Sequence, residues 1–145
     1  MKTTVQIVTN PFQKEQAMAI RFQVFVEEQQ VPSSLEIDEW DNHSDVVHLL
    51  ALQGEEAVGT ARVRFPSVTT AKLERLATLP NYRGQGIGQL LMKQAEAVAI
   101  ERGKKEMVLN AQVQALPFYH RLNYRDYGEP FDDAGIPHKT MTKSL

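Results

Sequence analysis

Three glycines fall within five residues, Gly84, Gly86 and Gly88, immediately ahead of the most helical stretch of this chain. Glycine weakens a helix by about 1 kcal/mol relative to alanine, so the cluster needs a reason. A tight strand-to-helix connection is the plainer one. The other is anion binding. The first amides of a helix lack internal partners and carry partial positive charge, and glycines let a phosphate approach that backbone closely. Arg83 adds a fixed charge beside them. Two common phosphate loops do not fit. A Walker loop would end in Gly-Lys-Ser/Thr, where this chain has Gly88-Gln89. A dinucleotide fingerprint would need glycine in place of Gln89, after the first strand of a parallel sheet.

The flanking sequence supplies strand and helix. Val5 to Val8 predicts a first strand. Asn10-Pro11-Phe12-Gln13 predicts a helix start, with Asn10 as cap, Pro11 where no N–H is needed and Gln13 reaching back to the cap. Ala17, Met18, Phe22, Phe25 and Val26 give that helix a broad apolar face, and the acidic stretch Glu27 to Ser44 reads as a loop with one irregular turn. A meander follows: Val46 to Leu52, Ala57 to Phe65, which alternates as a half-buried strand does, and Lys72 to Thr78. Beyond the glycines, Ile87, Leu90, Leu91, Ala95, Val98 and Ala99 share one helical face, and Gly103 ends the helix. Met107 to Asn110 predicts a short buried strand and Leu116 to Leu122 a short helix. Tyr124 to Tyr127 and Lys139 to Thr142 predict two last strands around an irregular loop.

The 145 residues contain no repeat or linker, which predicts one domain over 1–145. With no cysteine, a disulfide framework, a thiolate metal site and an enzyme-bound thioester are excluded. A net charge of −2 offers no basic field for nucleic acid or an anionic membrane. The start MKTTVQIVTN lacks the apolar core of a secretory signal, and no apolar stretch reaches membrane length, so a cytoplasmic protein is expected.

Arg83-x-x-Gly86-x-Gly88 resembles the Arg/Gln-x-x-Gly-x-Gly/Ala motif of the GNAT superfamily of N-acetyltransferases. Leu76-Ala77-Thr78-Leu79-Pro80 is similar to the strand before that family's pyrophosphate loop, with Thr78 where valine is frequent. Asn110-Ala111-Gln112 followed by Pro117-Phe118-Tyr119 is similar to its next strand and helix. Val24-Phe25-Val26-Glu27-Glu28-Gln29, Val31-Pro32 and Gly135-Ile136-Pro137-His138 resemble a small bacterial YjcF-like branch. The resemblance implies an α/β (α+β) fold: a mixed, mostly antiparallel, twisted central sheet of six to seven strands with about four helices on its two faces. It also implies acetyl-CoA as co-substrate in a V-shaped gap between two splayed strands. By the same resemblance Leu76, Ala77 and Thr78 lie at the thioester, and Arg83, Gly84, Gln85, Gly86, Ile87 and Gly88 hold the pyrophosphate. Asn110 bonds the pantetheine arm and Phe118 packs against the cofactor.

Tyr119 matches the family's usual general acid, a phenol near the sulfur; otherwise it is an ordinary core aromatic. Glu74, on the strand that ends at the cofactor, is the candidate base, with an ion pair to Arg62, Arg64 or Arg75 as the other reading. His138 and His48 are the candidate acceptor-binding residues; the other reading of His138 is a loop-rigidifying hydrogen bond, and a lone histidine such as His48 inside an apolar strand is more often a hydrogen-bonded core residue. Asp38, Glu39, Asp41 and His43 match no metal-ligand spacing and read as a solvated acidic loop that could border the acceptor site. No metal is expected. No serine sits in a nucleophile elbow, which favours direct transfer to a small-molecule or peptide amine. The alternative is a non-catalytic acyl-CoA-binding sensor on the same fold. A homodimer is compatible with either.

Overall fold

A computed structural model describes residues 2–145. Its centre is a seven-stranded sheet in the order β1-β2-β3-β4-β5-β7-β6. The strands are β1 (Thr3–Ile7), β2 (Val47–Gln53), β3 (Glu56–Arg64), β4 (Thr70–Thr78), β5 (Glu106–Gln112), β6 (Arg125–Asp133) and β7 (Ile136–Ser144). All neighbours are antiparallel except β4 and β5. The helices are α1 (Pro11–Arg21), α2 (Ser33–Glu36), α3 (Ile87–Glu101) and α4 (Leu116–Arg121). The mixed sheet and the four helices agree with the expected architecture.

The period-two alternation of strands places the two main helices on opposite faces. Leu49 packs with Ile87, Leu91, Ala95 and Val98 of α3, while its neighbour Leu50 packs with Ala17 and Ile20 of α1. On β3, Gly59 lets α3 come close. A Cβ there would lie 3.0 Å from Ile87 and 3.1 Å from Leu91. The expectation that β3 is half-buried is corrected: Val58 through Val63 are all buried. A polar strand face does not require solvent, because α1 covers Thr60 while ion pairs cover Arg62.

The start of α1 is built as its sequence predicts. Asn10 Oδ1 accepts from the Gln13 amide at 2.8 Å, but Gln13 reaches one residue beyond the cap, to the Thr9 amide at 2.8 Å. The helix does not stop near Glu27. Beyond Arg21 it widens into a π-helix, Phe22–Glu28, and α2 and a 3₁₀ turn, Glu39–Asn42, lie within the expected acidic loop. The last two strands are also longer than predicted. The irregular Gly128-Glu129-Pro130 segment is a break in register within β6 between Tyr127 and Phe131, and the hairpin turns at Ala134-Gly135.

Candidate active site

The site begins where the sheet fails to close. β4 and β5 pair over four positions only, from Thr70↔Glu106 to Leu73↔Leu109. Beyond Leu73, β4 stays with β3 while β5 stays with β7 as far as Gln112↔His138. A bulge marks the divergence. Arg62 faces Glu74 and Thr60 faces Ala77, so Ala61 is opposite both Arg75 and Leu76. Arg75 has φ 58°, a left-handed conformation that costs a non-glycine residue about 1–2 kcal/mol. Nothing in the residue types announces this bulge. The separated strands flank a cleft of about 1010 Å³, large enough for an extended cofactor and a small acceptor.

The glycine turn forms the mouth. Gly84 (φ 80°) and Gly86 (φ 79°) are left-handed, and a Cβ built on either would meet nothing within 4 Å. Space therefore stands open in front of a backbone at the N-terminus of α3. Gly88 differs: a Cβ there would sit 3.3 Å from Phe118, so this glycine admits the aromatic ring. Gly84, Gly86, Ile87 and Gly88 all line the cleft; Ile87 is also core, at 1% exposure. Gln85 turns its side chain away and accepts from Gln53 at 2.7 Å. Arg83 lines the mouth but is already engaged, with Nε donating to the Thr78 carbonyl at 3.0 Å and both Nη groups donating to Glu28.

Leu76, Ala77 and Thr78 form one wall, and Asn110 with Phe118 and Tyr119 the other. Asn110 Oδ1 accepts from Thr140 at 2.9 Å, which orients its amide. Tyr119 is buried, packed edge-on between Phe118 and Tyr124 with ring centroids 4.9 and 5.9 Å away. Burial raises its phenol well above the ordinary tyrosine range, so it is protonated at neutral pH.

Glu74 lines the cleft, but its carboxylate is committed. It accepts from Arg62 Nη2 at 2.9 Å and Arg64 Nε at 2.6 Å, with Lys72 Nζ at 3.7 Å. Burial pushes its pKa up, while the Arg64 hydrogen bond and the charges of Arg62, Arg64 and Lys72 outweigh that and hold it below the usual range. A carboxylate so stabilised is a weak base. Of the ion pairs expected for it, those to Arg62 and Arg64 form; Arg75 instead binds Glu36 and Asp38.

The expected solvated acidic loop is corrected at Asp38 and Asp41, while Glu39 and His43 are exposed as expected. Asp38 binds Arg62 and Arg75, Asp41 binds Arg21 and Arg62, and Glu36 binds Arg21 and Arg75. Glu36 and Asp41 are each 3% exposed, and Arg62 is fully buried. Their neutralising partners come from α1, β3 and β4, which the local sequence does not reveal. Among the described residues no three histidine, cysteine, aspartate or glutamate side chains converge on a metal position.

The two histidines separate. His48 is buried on β2 outside the cleft lining, with Nε2 3.3 Å from the Asp41 carbonyl oxygen. Burial lowers its pKa. The structure gives it no acceptor-facing position. His138 lines the cleft beside Gln112, its partner on β5. The lining also includes Phe25 of the widened helix, Gln29 just after it and Arg75 in the bulge, none of which was expected at the site. Gln29 accepts from Gln112 across the gap at 2.7 Å.

The acetyltransferase (GNAT) domain matches residues 8–145. YjcF of Bacillus subtilis, described as an uncharacterized N-acetyltransferase, is 43% identical over 138 residues, covering 94% of this chain and 96% of its own. Among solved structures, one described as an N-acetyltransferase from Lactobacillus plantarum superposes with a TM-score of 0.91 at 27% identity, over 100% of this chain and 99% of that one. ElaA of Escherichia coli superposes with a TM-score of 0.87 at 26% identity, over 98% and 99%.

Proposed function

Because the chain belongs to the GNAT acetyltransferase family, we propose that it moves the acetyl group of acetyl-CoA directly onto a primary amine of a small molecule or peptide. The observation that carries this reading is the loss of β4–β5 pairing after Leu73↔Leu109. It leaves a cleft with open glycine backbone at its mouth and a protonated phenol inside.

The residues present fit the cofactor. Left-handed Gly84 and Gly86 face open space, where a diphosphate can meet the first amides of α3. Acetyl-CoA, when bound, supplies an activated acyl group and a thiolate leaving group. Amides near Ala77 and Thr78 hold the carbonyl oxygen as negative charge develops on it. Asn110 orients the pantetheine arm. Phe118 packs beside the cofactor, and Tyr119 protonates the departing sulfur. Glu74 serves to fix Arg62 and Arg64 rather than to take a proton, and His138 lines the acceptor end.

The test is coenzyme A binding by thermal shift and calorimetry, followed by thiol release from acetyl-CoA with a panel of primary amines. Binding with turnover supports the reading. Binding without turnover by any amine would favour a sensor, and no binding at millimolar coenzyme A would sink both.

A further inference from the structure

We propose that His138 is the general base that removes a proton from the incoming ammonium group, a role that rests on the transferase reading above. Three observations carry it. The first is the tautomer. His138 Nδ1 lies 2.7 Å from the Ile136 carbonyl oxygen, an atom that can only accept, so Nδ1 carries the hydrogen. In the neutral ring the lone pair is therefore on Nε2. The second is access. His138 is only 9% exposed, yet Nε2 has no hydrogen-bond partner among the described residues and is not sealed from solvent. The residue itself lines the cleft. The third is that two carboxylates lining the cleft are committed, Glu74 to Arg62, Arg64 and Lys72 and Glu36 to Arg21 and Arg75, which leaves His138 Nε2 and the Asp133 carboxylate as lining groups without an ion-pair partner among the described residues.

The surroundings hold the ring still. Phe131 stacks on it with centroids 6.0 Å apart and planes at 26°. Its partners across the sheet are Gln112 on β5 and Phe131 on β6, both uncharged. Lys139, next in sequence, is paired with Asp126, and Asp133 is the carboxylate of this hairpin that lines the cleft.

The proton balance closes without another reagent. Nε2 takes one proton from R–NH3⁺ and passes it to solvent. The freed amine forms the N–C bond as the C–S bond breaks. Tyr119 gives its proton to the sulfur, and the second proton lost by nitrogen restores the phenol.

The test compares His138→Gln and His138→Ala with wild type, using coenzyme A thermal shift as the check on folding. With an alkylamine, cationic at pH 7, kcat/KM should fall at least tenfold in both variants, within the range of about 100- to 10,000-fold for positioned acid–base groups. With an arylamine of low pKa, neutral at pH 7, the loss should shrink to under about threefold. Added imidazole should restore part of the alkylamine rate in His138→Ala. Equal losses on both classes of amine, or none on either, overturn the proposal. Nitrogen NMR of the wild type decides independently of turnover: neutral His138 should show a protonated Nδ1 and a bare Nε2, and the opposite tautomer would overturn the role. Failure of wild type to acetylate any amine while coenzyme A binds would instead defeat the transferase reading, and the base role with it.

Discussion

Arg83 and Glu28 face each other across the mouth of the cleft, with Nη1 and Nη2 each 2.7 Å from a carboxylate oxygen. Glu28 ends the π-helix, so the pair ties the widened helix to the glycine turn. A carboxylate forked onto an arginine occupies the same donors that a phosphate would use. Glu28→Gln should therefore raise coenzyme A affinity a few-fold and Arg83→Ala should lower it by about tenfold, both read by calorimetry at fixed salt. Weaker binding in Glu28→Gln would show that the pair organises the mouth rather than competing for it.

Gly86→Val combines two costs. Its left-handed φ of 79° strains any branched residue, and its side chain would project into the open space before the turn. Thermal stability should drop by about 1–2 kcal/mol, and the stabilisation by coenzyme A, about 2.7 kcal/mol at 100 times the dissociation constant, should vanish. A retained ligand shift would move the phosphate site elsewhere.

Tyr119→Phe removes one oxygen from a ring held by Phe118 and Tyr124. With an acceptor amine in hand, kcat should fall at least about tenfold, toward the lower end expected for a general acid. The melting temperature and coenzyme shift should stay near wild type. A stability loss that matches the rate loss would return the hydroxyl to a structural role.

Glu74→Gln leaves Arg62 and Arg64 short of one negative partner. Stability and rate should decline together, and the pH profile of kcat/KM should keep its wild-type shape. A selective loss of the acid limb in that profile would make Glu74 the base after all.

The carboxylates set the response to acid. Burial pushes Asp38 and Asp41 up, but arginine partners hold both, like Glu74, below their ordinary values. In the unfolded chain they take up protons near pH 4. Their stabilisation is complete above that range and is lost as pH falls toward the folded values. His48, lowered by burial, adds a gentler loss that begins near pH 6.5, where only the unfolded chain binds its proton. Urea titrations from pH 7 to pH 3 should show both slopes. Asp41→Asn should cost about 3–5 kcal/mol at pH 7, as expected when a buried pair loses one partner, and should flatten the acid slope.

Much of this arrangement could be read from the residues because it is local. The cap at Asn10, the apolar face from Ile87 to Ala99 and the glycines before it depend on neighbours a few positions away. The resemblance extended that reading to Asn110, Phe118 and Tyr119, all of which line the cleft. What escaped is set by long-range partners. Glu36, Asp38 and Asp41 look like solvent-facing acids until Arg21, Arg62 and Arg75 arrive from other elements. The same holds for the π-helix. Nothing in the residues Phe22 to Glu28 marks a wider turn, and the five-residue bond from the Gln29 amide to the Val24 carbonyl shows it. Arg75 carries no mark of its left-handed backbone, which its bonds to Glu36 and Asp38 hold in place.

The four residue pairs joining β4 to β5 are the pivot of the molecule. Two sheet halves, one bearing the arginine–carboxylate cluster and the other the His138 hairpin, diverge from that short seam like the set arms of a caliper. The gap they measure out is set at Thr70–Leu73 and Glu106–Leu109, where Ala71 and Met107 are buried beneath α3 away from the cleft, so residues outside its walls help to fix how far apart those walls stand.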